Sequence, residues 1–121
     1  MEYQSVVRKP SAALLGVEFE LARMSFGRRL ELMKQVRELS QRREFHQAGE
    51  TPADRMEAAL LSMEIDRLYW QWGLRAVHGL QLDGVPATVE GLWATGPEAL
   101  SREILEAIRA EAGLTETERK N

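Results

Sequence analysis

His46 and His78 are the two side chains best suited to holding a metal ion, and the chain has no cysteine to join them. A zinc site needs several ligands converging on one point, and neither histidine has a second ligand at i+4 on its own helix. Both sit near segment ends, where a histidine favours the negative end of a helix dipole. Glu64 and Asp66 flank Ile65. Positions i and i+2 of a helix point in different directions, so these carboxylates do not make an acid–base pair. They are read as structural, pairing with Arg67 or with arginines of the first helix. Ser5, Ser11, Ser25, Ser40, Ser62 and Ser101 have no nucleophile-elbow context. The scattered glycines make neither a phosphate loop nor a dinucleotide fingerprint. The expectation is therefore a protein that is not an enzyme, with no catalytic residue, no metal and no cofactor.

The residues left with binding chemistry are aromatic and basic. Trp70 and Trp72 lie about 200° apart around a helix at ~100° per residue, so one narrow seam cannot take both. One of them is the expected partner-binding anchor, since tryptophan is enriched where interfaces concentrate their energy. Arg28 and Arg29 lie on the basic face of the first helix and are expected at the rim of the same surface. Glu31, Glu38 and Glu44 interleave with these arginines and the whole chain carries −3, which argues against nucleic acid.

The charge is uneven. Residues 1–46 hold nine Lys/Arg and six Asp/Glu, a net of +3, and the rest holds seven and thirteen, a net of −6. Such a split suits ordinary solvated faces, or a basic face meeting an acidic partner or a second copy. A length of 121 residues with 44% hydrophobic and 29% charged residues suits one soluble globular domain with a core that needs no staple. The absence of cysteine is compatible with a reducing cytosol. No apolar run approaches the ~18 residues of a membrane span, and the first ten residues lack the apolar core of a secretion signal. The expected location is cytoplasmic, with no membrane partner.

These residues need elements to position them. Val17 to Leu21 alternates apolar and charged, the period of a half-buried strand. Tyr3 to Val7 is expected to pair with it across Pro10–Gly16. Ser25 reads as an N-cap for a helix with Phe26, Leu30, Met33, Val36 and Leu39 at helical spacing, running to about Phe45. Thr51-Pro52-Ala53-Asp54 starts the next helix. There, Met56, Leu60 and Met63 lie beside a second set, Leu61, Ile65, Leu68 and Trp72. So wide an apolar arc places the helix centrally or turns part of it to a partner. Asp83-Gly84 signals a tight turn, with a small strand or hairpin arm ending near Ala87. Thr88 or Ala87 opens a short helix containing Leu92 and Trp93, ending near Gly96. Thr95–Glu98 has capping-box spacing for a last helix striped by Leu100, Ile104 and Ile108. Gly113 closes that helix, with Leu114 folding back. The expected fold is α+β and mostly helical, a small N-terminal β-hairpin packed on a bundle of about three to four helices. One domain spans 1–114, with 115–121 a polar C-terminal tail.

Several phrases together resemble a known family. Arg23-Met24-Ser25-Phe26-Gly27-Arg28-Arg29-Leu30-Glu31-Leu32 resembles the start of the first helix in small proteins of bacteriophage and prophage tail modules. Glu64 to Trp70, Trp72-Gly73-Leu74 and Gly79-Leu80 are similar to their central segment. Asp83-Gly84, Ala87-Thr88, Gly96-Pro97-Glu98, Leu100, Glu103-Ile104 and the ending Glu118 to Asn121 are similar to their C-terminal half. The family is that of phage tail assembly chaperones. The resemblance implies a protein that binds the long helical tape-measure protein and keeps it soluble in the bacterial host cytoplasm until the tail tube forms around it. Masking of apolar helical segments in a groove on the second helix would be the means. The alternative is a virion structural protein, a connector or tail-associated subunit acting through homo-oligomeric contacts.

Overall fold

The structure, a computed structural model, describes residues 1–113. Two strands, β1 (Val6–Pro10) and β2 (Glu18–Ala22), are followed by two long helices, α1 (Phe26–Gln47) and α2 (Pro52–Gly73). A third strand β3 (Leu74–His78), a small hairpin of β4 (Gln81–Leu82) and β5 (Val85–Pro86), and helices α3 (Val89–Thr95) and α4 (Glu98–Ala112) complete the order. The fold is α+β and mostly helical, with a small N-terminal β-hairpin, as the patterning predicts.

The alternation in β2 sorts its faces. Phe19 and Leu21 are buried in the core, and Glu18 and Glu20 point the other way, toward Arg8 and His78. β1 and β2 pair antiparallel with Val7 opposite Leu21 and Lys9 opposite Phe19. The first strand thus lies three residues later than the expected Tyr3–Val7. The connection sets this shift. Ser11 N–H donates to Val17 O at 2.8 Å and Leu14 N–H donates to Ser11 Oγ at 2.9 Å, folding residues 11–16 into a tight loop. Pro10 is thereby held directly opposite Glu18.

β3 is the element the sequence pattern conceals. It adds to β2 antiparallel, giving a sheet of order β1-β2-β3 with an irregularity between Glu20 and Leu21. The helical set of apolar residues ends at Trp72, and no strand is expected between there and Gly79. At the end of α2 Gly73 lies against Ile108, where a Cβ would come within 2.5 Å of the Ile108 side chain. From there Leu74 adopts extended backbone, φ −85° and ψ 124°.

The helix starts follow the capping chemistry. Ser25 Oγ accepts from Arg28 N–H, and Thr51 and Asp54 form a reciprocal capping box behind Pro52. Thr88 Oγ1 accepts from Gly91 N–H at 2.9 Å. Asp83 and Gly84, both with positive φ, make the β4–β5 turn. Gly113 closes α4 at φ 66°. The capping box expected at Thr95–Glu98 does not form. Thr95 still belongs to α3 and its hydroxyl donates to Gly91 O, so Pro97 becomes the N-cap without a side-chain bond. Leu114 and the tail lie outside the described residues.

The core draws on β2, β3 and all four helices. Phe19, Leu21, Leu32, Val36, Ile65, Tyr69, Trp70, Leu92, Leu100, Ile104 and Ile108 form one buried cluster. In α1 the buried stripe is Leu32, Val36 and Ser40, with Leu39 half-buried. Phe26 and Leu30, expected inside, are exposed. They lie roughly 80° and 120° around the helix from Val36, on a side that nothing covers. The chain has no helix, among the described residues, long and apolar enough to cross a membrane.

Candidate functional site

α1 and α2 form an antiparallel helical hairpin whose root rests on the sheet, α3 and α4. Two surfaces of this hairpin have the chemistry to bind a partner.

The first is an open groove at the root, about 700 Å³, lined by Ser25, Gly27, Arg28 and Glu31 of the α1 start and by Leu68, Gln71, Trp72 and Arg75 of the α2 end and β3, with Gln35. Here the structure brings Arg28 and Trp72 together, two of the four residues expected to bind a partner. Trp72 is half-buried, and its indole N–H is buried without a hydrogen-bond partner among the described residues. Arg28 and Arg75 make no ion pair among the described residues. Burial, and then the charge of Arg28, pull the Arg75 guanidinium below the ordinary arginine value. Arg75 has no signal in the sequence, because no strand is expected between Trp72 and Gly79.

The other two expected residues go elsewhere. Trp70 is fully buried, its indole N–H donates to Val89 O at 3.0 Å, and its ring meets Trp93 edge-on with centroids 5.4 Å apart. It is a core residue and offers no surface to a partner. Arg29 turns to α4 and donates to Ala112 O at 2.9 Å, closing the last turn of that helix. The 200° separation of the tryptophans is thus resolved as one inside and one at the groove.

The second surface is apolar. Met56, Leu60 and Met63, at i, i+4 and i+7 of α2, are 63%, 49% and 60% exposed. Of the other half of the wide arc, Leu61 and Ile65 are buried, and Leu68 and Trp72 pack partly on the core while lining the root groove. The exposed stripe shares a side of α2 with Arg67 and Trp70, which α3 covers; nearer the helix start that cover is missing. The stripe ends at an open cleft of about 650 Å³ between α2 and α4, where Met63, Trp93 and Leu105 supply apolar wall. Four charges at the cleft rim form two pairs, Arg102 with Glu98 and Arg109 with Asp66, and Glu106 stands beside them. Asp66 pairs across to α4. Arg67 bonds Glu90 and lies 5.0 Å from the Trp93 ring. Glu64 is exposed.

The histidines are structural partners of carboxylates. His46 Nδ1 lies 3.0 Å from Asp54 Oδ1 at the hairpin tip, and His78 meets Glu20 on the outer face of the sheet. Among the described residues no group of three or more His, Asp or Glu could hold a metal. Hydrogen bonds from His46 and then from Thr51 hold the Asp54 carboxyl below the usual aspartate range. Glu103 of α4 clamps the β1–β2 loop, accepting from Ser11 Oγ at 2.6 Å and from Ala12 N–H at 2.6 Å. Burial pushes its carboxyl up, and the hydrogen bonds from Ser11, Ala12 and Ala13 outweigh that, leaving it below the usual glutamate range.

Comparisons with family models, with curated proteins and with solved structures return no match.

Proposed function

We propose that this protein is a non-enzymatic assembly chaperone of the phage-tail type, which masks apolar helical segments of a tape-measure protein in the host cytoplasm. The observation that carries the reading is the uncovered Met56–Leu60–Met63 stripe running into the Met63–Trp93–Leu105 cleft. An amphipathic helix presents apolar residues at i, i+3, i+4 and i+7, the same spacing as this stripe, so two such faces can lie against each other. Two of the three stripe residues are methionines, whose flexible thioethers repack against differing sequences. That suits a chaperone holding successive stretches of one long helix. Burying three half-exposed side chains of this kind contributes roughly 1 kcal/mol each, a weak grip that tail-tube subunits can displace.

Trp70, fully buried, is not the anchor of this reading; Met63 and Leu60 take that place. The test is co-expression with a tape-measure segment and affinity capture. The wild-type chain should hold the segment soluble, and Leu60→Glu with Met63→Glu should release it to the pellet. Equal recovery with the double variant would end the proposal.

The second reading is a virion structural subunit joined through homo-oligomeric contacts. The same stripe and the opposite net charges of 1–46 and 47–121 favour it. Light scattering after size separation discriminates: a ring-sized species that Leu60→Glu disperses supports the subunit, and a monomer at all concentrations supports the chaperone.

A further inference from the structure

The groove at the root of the α1–α2 hairpin shares no lining residue with the apolar stripe or its cleft, and its chemistry is different. We infer that it is a second binding site, which takes the carboxylate side chains of an acidic protein segment between Arg28 and Arg75, beside Trp72.

Two cations face one groove here, an arrangement that works against the bare fold. The first turn of α1 contains no acidic residue and places Arg28 at the positive end of the helix dipole. Arg75 of β3 opens onto the same groove and feels the Arg28 charge. Five arginines elsewhere are matched by carboxylates, Arg8 with Glu18, Arg42 with Glu57, Arg67 with Glu90, Arg102 with Glu98 and Arg109 with Asp66, and Arg29, Arg43 and Arg55 bond neutral oxygens instead. Arg28 and Arg75 have no such carboxylate among the described residues. An incoming anion between them would relieve the mutual repulsion and accept charge-assisted hydrogen bonds from both guanidinium groups.

Shape and lining select the class of anion. A space of about 700 Å³ is far larger than an inorganic ion, each water in the liquid occupying about 30 Å³. Leu68 and the Trp72 ring give it apolar wall against which the aliphatic stems of Glu or Asp can pack. Gln35 and Gln71 offer amides to a peptide backbone. Glu31 lines the groove as well and opposes any anion there, so the ligand must be held by Arg28 and Arg75 together. The size of the space, its apolar wall and its amides favour an acidic polypeptide over an inorganic anion.

The test uses the whole chain and a short polyglutamate peptide, with polyglutamine, inorganic phosphate and oligothymidylate as comparison probes. The readout is the indole N–H resonance of Trp72 by NMR, identified with Trp72→Phe. Polyglutamate should move that resonance saturably and polyglutamine should not. Arg28→Gln and Arg75→Gln should each weaken the peptide roughly tenfold, the scale of one lost hydrogen bond to a charged group. Arg37→Gln, on an exposed part of α1, should leave it unchanged. Arg75 is exposed, so its variant should fold, and an unchanged melting temperature will verify that. Three results would overturn the inference: no peptide-induced shift, binding that ignores both arginine variants, or tighter binding by phosphate or oligothymidylate.

Discussion

Around Trp70, Tyr69 and Ile104 the side chains are at most 1% exposed, whereas between Gln41 and Leu60 no residue of the α1–α2 hairpin is buried. The base of the molecule is closed by apolar packing from three strands and four helices. The hairpin tip is held by polar clips: His46–Asp54, Arg43 Nη1 to Ser62 Oγ at 3.2 Å, Arg42–Glu57, and the Thr51–Asp54 capping box. Nothing at the tip drives apolar collapse, yet Met56 and Leu60 are exposed there, and Met63 continues their stripe to the α2–α4 cleft. The contrast teaches that the apolar residues of α2 serve two ends. One set builds the fold, and the other lies where the fold needs nothing from it.

That contrast can be broken by mutation, and the largest effect belongs to the base. Trp70→Ala should cost about 3–5 kcal/mol, since it empties a fully buried site and orphans Val89 O. Chemical denaturation will measure it; a loss below ~1 kcal/mol would mean that the core is not built around this ring.

Next comes the clamp between base and loop. Glu103→Ala should cost about 1–3 kcal/mol, because it leaves the part-buried Ser11 hydroxyl and the Ala12 N–H without their acceptor. Its pH dependence has a defined sign. The folded carboxyl sits below its unfolded value of about 4.3. The contribution is therefore complete above that pH and fades as pH falls through the lower folded value. Denaturation of wild type and variant from pH 7 downward should converge in the acid limb, and parallel curves would refute the clamp.

At the tip the effects shrink. Thr51→Ala removes one side of the capping box and should cost about 1 kcal/mol. Hydrogen exchange should show the opening confined to the α2 start and the adjoining end of α1, leaving the base amides protected. Asp54, held down by His46 and Thr51, should release the tip as pH falls below the usual aspartate range. Global unfolding instead of local opening would erase the distinction between tip and base. The smallest effect on stability belongs to the stripe. Leu60→Ser should stay within about 0.5 kcal/mol of wild type, while its effect on partner capture should be large.

Much of this arrangement was legible in the sequence, for identifiable reasons. Caps at Ser25, Thr51 and Thr88, the Asp83-Gly84 turn and the Gly113 stop are local chemistry, and local chemistry is written in a few adjacent residues. β3 was not legible, because it is short and the strand it pairs with, β2, lies 53 to 60 positions away in the chain. With β3 hidden, Arg75 could not be placed at the groove. In α1, periodicity offered Phe26 and Leu30 as core; only the position of α2 decides that Leu32 and Val36 face it instead. For the candidate site, Arg28 and Trp72 could be named from residue type, but the diversion of Arg29 to Ala112 O and of Trp70 into the core depends on where α3 and α4 pack.

The central claim is that the Met56–Leu60–Met63 stripe receives a partner helix. Methyl NMR of the methionines tests it most directly, with a tape-measure segment titrated onto the intact chain. The account predicts that the Met56 and Met63 methyl signals shift and saturate together, while those of Met24 and Met33, half-buried away from the stripe, stay in place. Unmoved Met56 and Met63 signals at saturating segment would contradict it.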